Sequence, residues 1–201
     1  SKLIVNGGEP GDDDKLIVSG TAGSDTFAYE PHPSLASAGT VSRDSRVVQF
    51  FETENIVVNG LSGTDSFTGL GAASLNDVVK LTPQGNRESR LRFNNSTPLE
   101  LQDFESVTVD PRDGIDQLRI FGTVHSDLMT FDAAMLAVNG QSFGHRNTEI
   151  FAAFGDSGDD AIGIASALNG AVTADGGDGR DFLSVAATAG GPVGLSLPVT
   201  I

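Results

Sequence analysis

The chain consists of short apolar segments in which hydrophobic and polar residues often alternate. Such segments occupy 16–18, 47–51, 56–58, 78–81, 91–93, 99–101 and 107–109, and Gly, Asn, Asp, Ser or Pro bounds each of them. A period of two with β-branched and aromatic residues is typical of half-buried β-strands. The pattern therefore predicts an all-β protein. Only the segment 126–138 has a helical composition, although Leu128 and Met129 also match strand positions.

A strand–turn–strand unit recurs along the chain. An alternating strand is followed by Asn or Asp, a Gly-rich turn, an Asp and a second apolar strand, at 56–67, 107–118, 151–162 and 172–183, with a looser copy at 3–16. The Asp that precedes the second strand is separated from the next by 51, 51, 44 and 21 residues. Weaker copies follow 11 residues later at 20–27 and 122–129. Such self-similarity predicts a repeat architecture.

These intervals are near multiples of a unit of roughly 21–26 residues, the length of one coil in a parallel β-solenoid. The sequence thus predicts a single elongated domain over 1–201, with roughly eight or nine coils and a length of about 40 Å. Because both termini fall inside repeats, we expect the chain to be a piece of a longer array. A β-propeller and a β-sandwich array are the alternative folds.

Charge narrows the classes of partner. The chain carries 27 acidic and 12 basic residues, for a net charge of −15. This charge argues against nucleic acid and anionic membrane surfaces, which require basic patches. No apolar stretch is long enough to insert into a membrane. The expected partners are other copies of the chain or neighbouring repeats, joined end to end. A surface polysaccharide is a further candidate partner. The absence of Cys leaves no disulfide framework.

The acidic turns are the candidate sites. Calcium takes about 6–8 oxygens from carboxylates and carbonyls, and a Gly-rich turn that ends in Asp offers both. The alternative is that each Asp accepts hydrogen bonds from backbone amides of its own turn. Calcium is the one cofactor that the sequence suggests. The candidate ligands are Asp12, Asp14, Asp25, Asp65, Asp116, Asp127, Asp156, Asp159, Asp160, Asp175, Asp178 and Asp181.

The turns at 20–27 and 176–183 resemble the hemolysin-type, repeats-in-toxin nonapeptide, Gly-Gly-x-Gly-x-Asp-x-apolar-x. The resemblance is close at 176–183 and degenerate elsewhere, and it covers about a third of the chain. It implies a parallel β-roll with calcium between turns, in a protein exported by bacteria. Because the copies here are not tandem, it implies isolated calcium sites instead of a continuous row.

Three functions fit these observations. The first is a structural or adhesive repeat module of a bacterial extracellular or cell-surface protein, with calcium as its candidate stabilising ion. The second is a self-assembling filament subunit. The third is a polysaccharide-active enzyme or its calcium-binding accessory module. No nucleophile elbow, phosphate-binding loop or His-Glu-x-x-His motif is present. The sequence therefore favours a non-enzymatic module, with no catalytic residue assigned.

Overall fold

The strands of this protein are short and follow the apolar segments closely. A computed structural model describes residues 1–8, 13–73, 75–164 and 170–185. The first ten strands are β1 Lys2–Asn6, β2 Lys15–Ser19, β3 Thr26–Pro31, β4 Gly39–Arg43, β5 Arg46–Phe51, β6 Asn55–Asn59, β7 Ser66–Leu70, β8 Val78–Gly85, β9 Glu88–Phe93 and β10 Leu99–Gln102. The remaining nine are β11 Ser106–Asp110, β12 Gln117–Phe121, β13 Leu128–Phe131, β14 Met135–Val138, β15 Gln141–His145, β16 Ile150–Phe154, β17 Ala161–Ile164, β18 Ala171–Asp175 and β19 Phe182–Val185.

The strands form two mostly parallel sheets. One has eleven strands in the order β1-β5-β4-β3-β7-β11-β15-β14-β13-β17-β19, and the other has eight in the order β18-β16-β12-β8-β9-β10-β6-β2. The chain passes back and forth between the sheets, so that strands neighbouring in a sheet are usually distant in sequence. The prediction of an all-β protein is confirmed.

Three antiparallel meanders interrupt the alternation between sheets. They are β3-β4-β5 and β13-β14-β15 in the larger sheet and β8-β9-β10 in the smaller one. Every other pairing between the described strands is parallel. Each meander adds two strands without leaving its sheet. This explains why the sequence intervals vary, since the unit is longer wherever a meander is inserted.

One hydrophobic core lies between the two sheets. Alternate residues of each strand are buried, as in β8, where Val79 and Leu81 point inward. Tyr29 of the larger sheet contacts Phe93 of the smaller sheet, with ring centroids 6.1 Å apart. Gly69 leaves room for Phe93, because a Cβ on Gly69 would lie 3.0 Å from the Phe93 ring. The close-packed aromatic side chains thus fix the separation of the sheets.

The segment 126–138 is not helical. It forms β13 and β14, because Leu128 to Phe131 continue the parallel pairing with β17. The helical composition of the segment is therefore overridden by tertiary pairing. The apolar residues at 193–201 lie outside the described residues. In the described part of the chain, no helix is long and apolar enough to cross a membrane.

Candidate functional site: the acidic arches

Most connections between the sheets end in an acidic residue that directly precedes the next strand. We call these connections arches. Long arches such as 60–65 contain Gly and end in Asp, whereas short ones such as 103–105 end in Glu. The acidic residues of the arches stack in four rows. The rows are Asp14 and Glu54; Asp25, Asp65 and Glu105; Asp77, Asp116 and Glu149; and Asp127, Asp160 and Asp181.

Within a row, each step is a pair of hydrogen bonds between successive arches. The Asp25 amide donates to the Asp65 carboxylate at 2.7 Å, and the Asp65 amide donates to the Glu105 carboxylate at 2.6 Å. In the reverse direction, the Asp25 carbonyl accepts from the Ser66 amide at 3.0 Å. Since bonds to charged acceptors are the stronger ones, the acidic side chain ties its arch to the preceding one.

In arches 60–65 and 122–127, glycine at the first position is a steric requirement. A Cβ on Gly60 would lie 2.6 Å from the Asp103 carbonyl oxygen and 2.9 Å from Asp65 Oδ2. Gly122 is similar, since its Cβ would lie 2.6 Å from Asp127 Oδ2. The side chain of the terminal Asp folds back over the first residue of the arch. This contact explains the regular spacing between Gly and Asp in the sequence repeat.

The second carboxylate oxygen distinguishes two kinds of arch. In the first kind, Thr21 donates both its amide (2.7 Å) and its hydroxyl (2.9 Å) to Asp25 Oδ2, and Thr123 bonds Asp127 in the same way. In the second kind, the backbone amide at the same position of the arch donates to a different acceptor. The Leu61 amide, for example, donates to Asn59 Oδ1 at 2.7 Å. The Oδ2 atom of Asp65 is then buried without a hydrogen-bond partner.

Two further acids share this property. Asp116 Oδ2 and Asp160 Oδ2 are also buried without a partner, in side chains that are 0% and 1% exposed. At Asp116, the amide of Arg112 bonds Asp110 instead, at 3.1 Å. A buried carboxylate oxygen without a donor is costly in the charged form. In the described structure, these three carboxylate oxygens are therefore buried acceptors that no hydrogen-bond donor satisfies.

The meanders cap the ends of three rows. Asn94 Oδ1 accepts from the Val78 amide at 2.8 Å while its Nδ2 donates to Asp77 Oδ1 at 2.5 Å. Asn139 makes the same pair of contacts with Leu128 and Asp127. In both caps, the Asn side chain supplies the acceptor and the donor that a preceding arch supplies elsewhere in a row.

The first meander uses a different residue for the same cap. Asp44 takes the position of the asparagine and accepts from the Thr26 amide at 3.1 Å. A carboxylate has no N–H to donate, and Arg43 lies 3.8 Å from Asp25 instead. The positive charge of Arg43 therefore replaces the amide donor of the other two caps.

Burial and backbone donors act in opposite directions on these acids. Burial raises the pKa values of Asp77, Asp116 and Asp160, and neighbouring acids add to the rise at Asp116 and Asp160. The backbone amide of Thr21 lowers the pKa of Asp25, and that of Asp65 lowers the pKa of Glu105. The rows therefore mix carboxyls that favour the proton with carboxylates held in the charged form.

The structure brings many of the predicted ligands together. Seven of them lie in the rows: Asp14, Asp25, Asp65, Asp116, Asp127, Asp160 and Asp181. Another four, Asp156, Asp159, Asp175 and Asp178, lie in arches 155–160 and 176–181 or just before them, and these arches stack through a bridge between Ser157 and Asp178. Asp12 lies outside the described residues. Among the described residues, no three acidic or His side chains are arranged to hold a metal ion.

Asp residues that lie 51 positions apart in the sequence belong to different rows. Asp65 and Asp116 match in the repeat, but Asp65 stacks on Glu105, which is 40 residues away. Sequence reasoning missed Glu54, Glu105 and Glu149 as members of the rows. A signal for them was present in the sequence, because each Glu directly precedes a strand, as the Asp residues do.

Asp77, Asn94 and Asn139 were also missed. Asp77 follows a degenerate Gly turn, and the caps are brought near their acids only by the antiparallel meanders. Comparisons of the chain with protein-family models, with curated proteins and with solved structures found no match.

Proposed function

We propose that this chain is a structural or adhesive repeat module of a bacterial extracellular or cell-surface protein, wound as a parallel β-solenoid. The observation that carries the proposal is the acid-to-amide step, which recurs between successive arches throughout the four rows. Such contacts join each unit to its neighbour alone, as in solenoids. The polar side chains of the arches are thereby used in holding the structure together.

Small-angle X-ray scattering of the purified chain tests this proposal. Eleven strands in one sheet, about 4.8 Å apart, give a length of about 50 Å. This exceeds the sequence estimate because the meanders contribute strands to the same sheet. We expect a skewed pair-distance distribution and a radius of gyration above the roughly 16–17 Å of a globular chain of this size. A globular value would contradict the proposal.

We further propose that calcium stabilises arches 155–160 and 176–181. Support comes from the stacking of arch 155–160 on arch 176–181, which places two acidic turns side by side. Four side chains there already accept hydrogen bonds. Asp159 accepts from the Arg180 amide at 2.9 Å and Asp175 from the Gly177 amide at 3.2 Å. Asp160 and Asp181 accept within their row. Carbonyls and the remaining carboxylates would supply ligands of the type calcium prefers.

Thermal melting with calcium and with a chelator tests this site. A ligand that binds only the folded state raises the melting temperature, so calcium should raise it by several degrees. Asp178→Asn should abolish the rise, whereas Asp113→Asn, an exposed Asp in another arch, should leave it intact. An unchanged melting temperature on adding calcium would leave the carboxylates in the hydrogen-bonding role alone.

A filament subunit is the second candidate function, and the exposed strands β1 and β2 favour it. Leu3, Ile4 and Ile17 are 59%, 61% and 58% exposed on these strands at one end of the two sheets. Apolar edge strands pair readily with other chains. Electron microscopy should show end-to-end filaments under this alternative and separate particles under the first. Ile4→Lys would prevent such filaments from forming.

A further inference from the structure

The outer face of the smaller sheet carries a row of cations. Arg92 of β9 pairs with Lys80 of β8, and Lys80 pairs with Arg119 of β12, so these three residues lie side by side on adjacent strands. Their side chains point away from the core, because their strand neighbours Val79, Leu81 and others are buried. Arg90 lies two residues from Arg92 on the same face.

These cations are unusual in a chain of net charge −15. None of Lys80, Arg90, Arg92 and Arg119 forms an ion pair within the described part of the chain. Arg92 donates its Nε to the Ser96 carbonyl at 2.9 Å, and Arg119 donates its Nε to Gln117 Oε1 at 2.9 Å. Like charges directly opposite each other in a sheet are destabilising. The row therefore costs stability unless an anion lies against it.

A groove and an aromatic pair complete the surface. Lys80, Thr82, Arg90, Arg92, Pro98 and Phe121 line an open groove of about 320 Å³. Beside it, the rings of Phe121 and Phe154 stack with centroids 5.0 Å apart. Both rings are only half-buried. Acidic residues lie at two edges of this face. Glu100 is the strand-register partner of Arg90, and Asp175 is that of Phe154.

We propose that this face binds an acidic polysaccharide that carries carboxylate groups. The guanidinium groups of Arg90, Arg92 and Arg119 and the Lys80 ammonium would pair with the carboxylates. The faces of the Phe121 and Phe154 rings that do not contact each other would pack against the C–H groups of a sugar. Charge complementarity thus identifies the partner by its chemistry.

Two other polyanions fit this surface less well. Four cations between Glu100 and Asp175 are too few to offset the repulsion between nucleic acid and a chain of net charge −15. A second copy carries the same net charge, and its arch acids Asp65, Asp116 and Asp160 are buried. A short oligomer of uronic acids carries about as many carboxylates as this face has cations, so the rest of the chain repels it less than it repels nucleic acid or a second copy.

Calorimetric titration with oligogalacturonate at low ionic strength tests the proposal. The variant Lys80→Gln/Arg92→Gln should bind about tenfold more weakly, the loss expected for two solvent-exposed charge pairs. The control Arg46→Gln/Arg146→Gln removes the same charge from exposed residues elsewhere and should bind within about twofold of the unmodified chain. A neutral cello-oligosaccharide should not bind.

Several results would overturn the proposal. These are no binding of oligogalacturonate, equal weakening in the two double variants, and equally tight binding of a single-stranded oligonucleotide. Self-association that only the Lys80→Gln/Arg92→Gln variant abolishes would assign the face to a second copy. If that variant fails to fold, Arg119→Gln replaces it, with Arg146→Gln as the control. Polysaccharide binding requires this face and not the solenoid fold. A failure of the titration can therefore be distinguished from a failure of the scattering test.

Discussion

At the residue scale, the acid that ends each arch serves as a backbone partner. In Asp25, Oδ2 accepts from Thr21 within the same arch. In Asp116, Oδ1 accepts from the Asp77 amide of the preceding arch, and Oδ2 is buried without a partner. The first arrangement holds the charged form and the second opposes it. Individual arches therefore differ in what they contribute to stability, although their sequences match.

Asp116→Asn should stabilise the protein at neutral pH. Burial raises the pKa of Asp116, and repulsion from Asp77 and Glu149 adds to it. Asn keeps an oxygen for the Asp77 amide and removes the buried charge. We expect a melting temperature higher by roughly 2–4 °C at pH 7, equivalent to about 1 kcal/mol.

The sign of the pH dependence gives a sharper check. A raised pKa means that Asp116 contributes most to stability below its unfolded-state pKa of 3.8, and that this contribution is lost as pH rises through the folded pKa. The gain from Asp116→Asn should thus grow between pH 4 and pH 7. Asp113→Asn in the same arch serves as the control. A gain that is constant with pH would contradict the prediction.

Leu61→Gly should also stabilise the protein. Leu61 has a φ of 71°, in the left-handed region that costs an L-residue about 1–2 kcal/mol, and its side chain is 49% exposed. Because glycine loses more conformational entropy on folding than leucine does, part of this stabilisation is offset. We expect a net increase of about 0.5–1 kcal/mol in the free energy of unfolding. Urea denaturation measures the change. Leu35 is equally exposed without a positive φ, so Leu35→Gly should destabilise; the same sign for both variants would refute the role of φ.

At the element scale, the meanders explain how three of the four acid rows begin. Each meander places a turn residue beside the first acid of a row, and this contact needs an antiparallel hairpin that the repeat does not encode. The individual strands β8 and β9 were predictable from apolar alternation. Their antiparallel pairing was not, because register depends on the turn at Asn86 and Arg87, both with positive φ.

Asn94→Asp should destabilise the protein at neutral pH. The change removes the amide that donates to Asp77 and sets a second carboxylate beside a buried one. We expect a loss of about 1–3 kcal/mol at pH 7, measured by urea denaturation. The loss should shrink towards pH 4, because burial already raises the pKa of Asp77. The matched change Asp44→Asn should cost little, since Arg43 offsets the charge of Asp25; equal losses would contradict this account.

At the scale of the whole molecule, the sequence predicts an all-β chain built from repeated acidic turns. Composition and period were sufficient for this, since both are local properties. The stacking partners were not predictable, because Glu105 replaces Asp in the row of Asp65 and an inserted meander shifts the interval. The cationic face was visible only in part, as Arg90 and Arg92 are close in sequence but Lys80 and Arg119 join them through pairing.

Amide hydrogen exchange measured by NMR tests most directly whether the acid rows hold successive units together. The amides of Asp65, Asp116 and Asp160 each donate to an acid of the next arch, at 2.6, 2.8 and 3.0 Å. We predict that they exchange at least about a thousandfold more slowly than the amide of Asp113, since breaking them requires separating two units. Exchange of all three as fast as Asp113 would contradict the account.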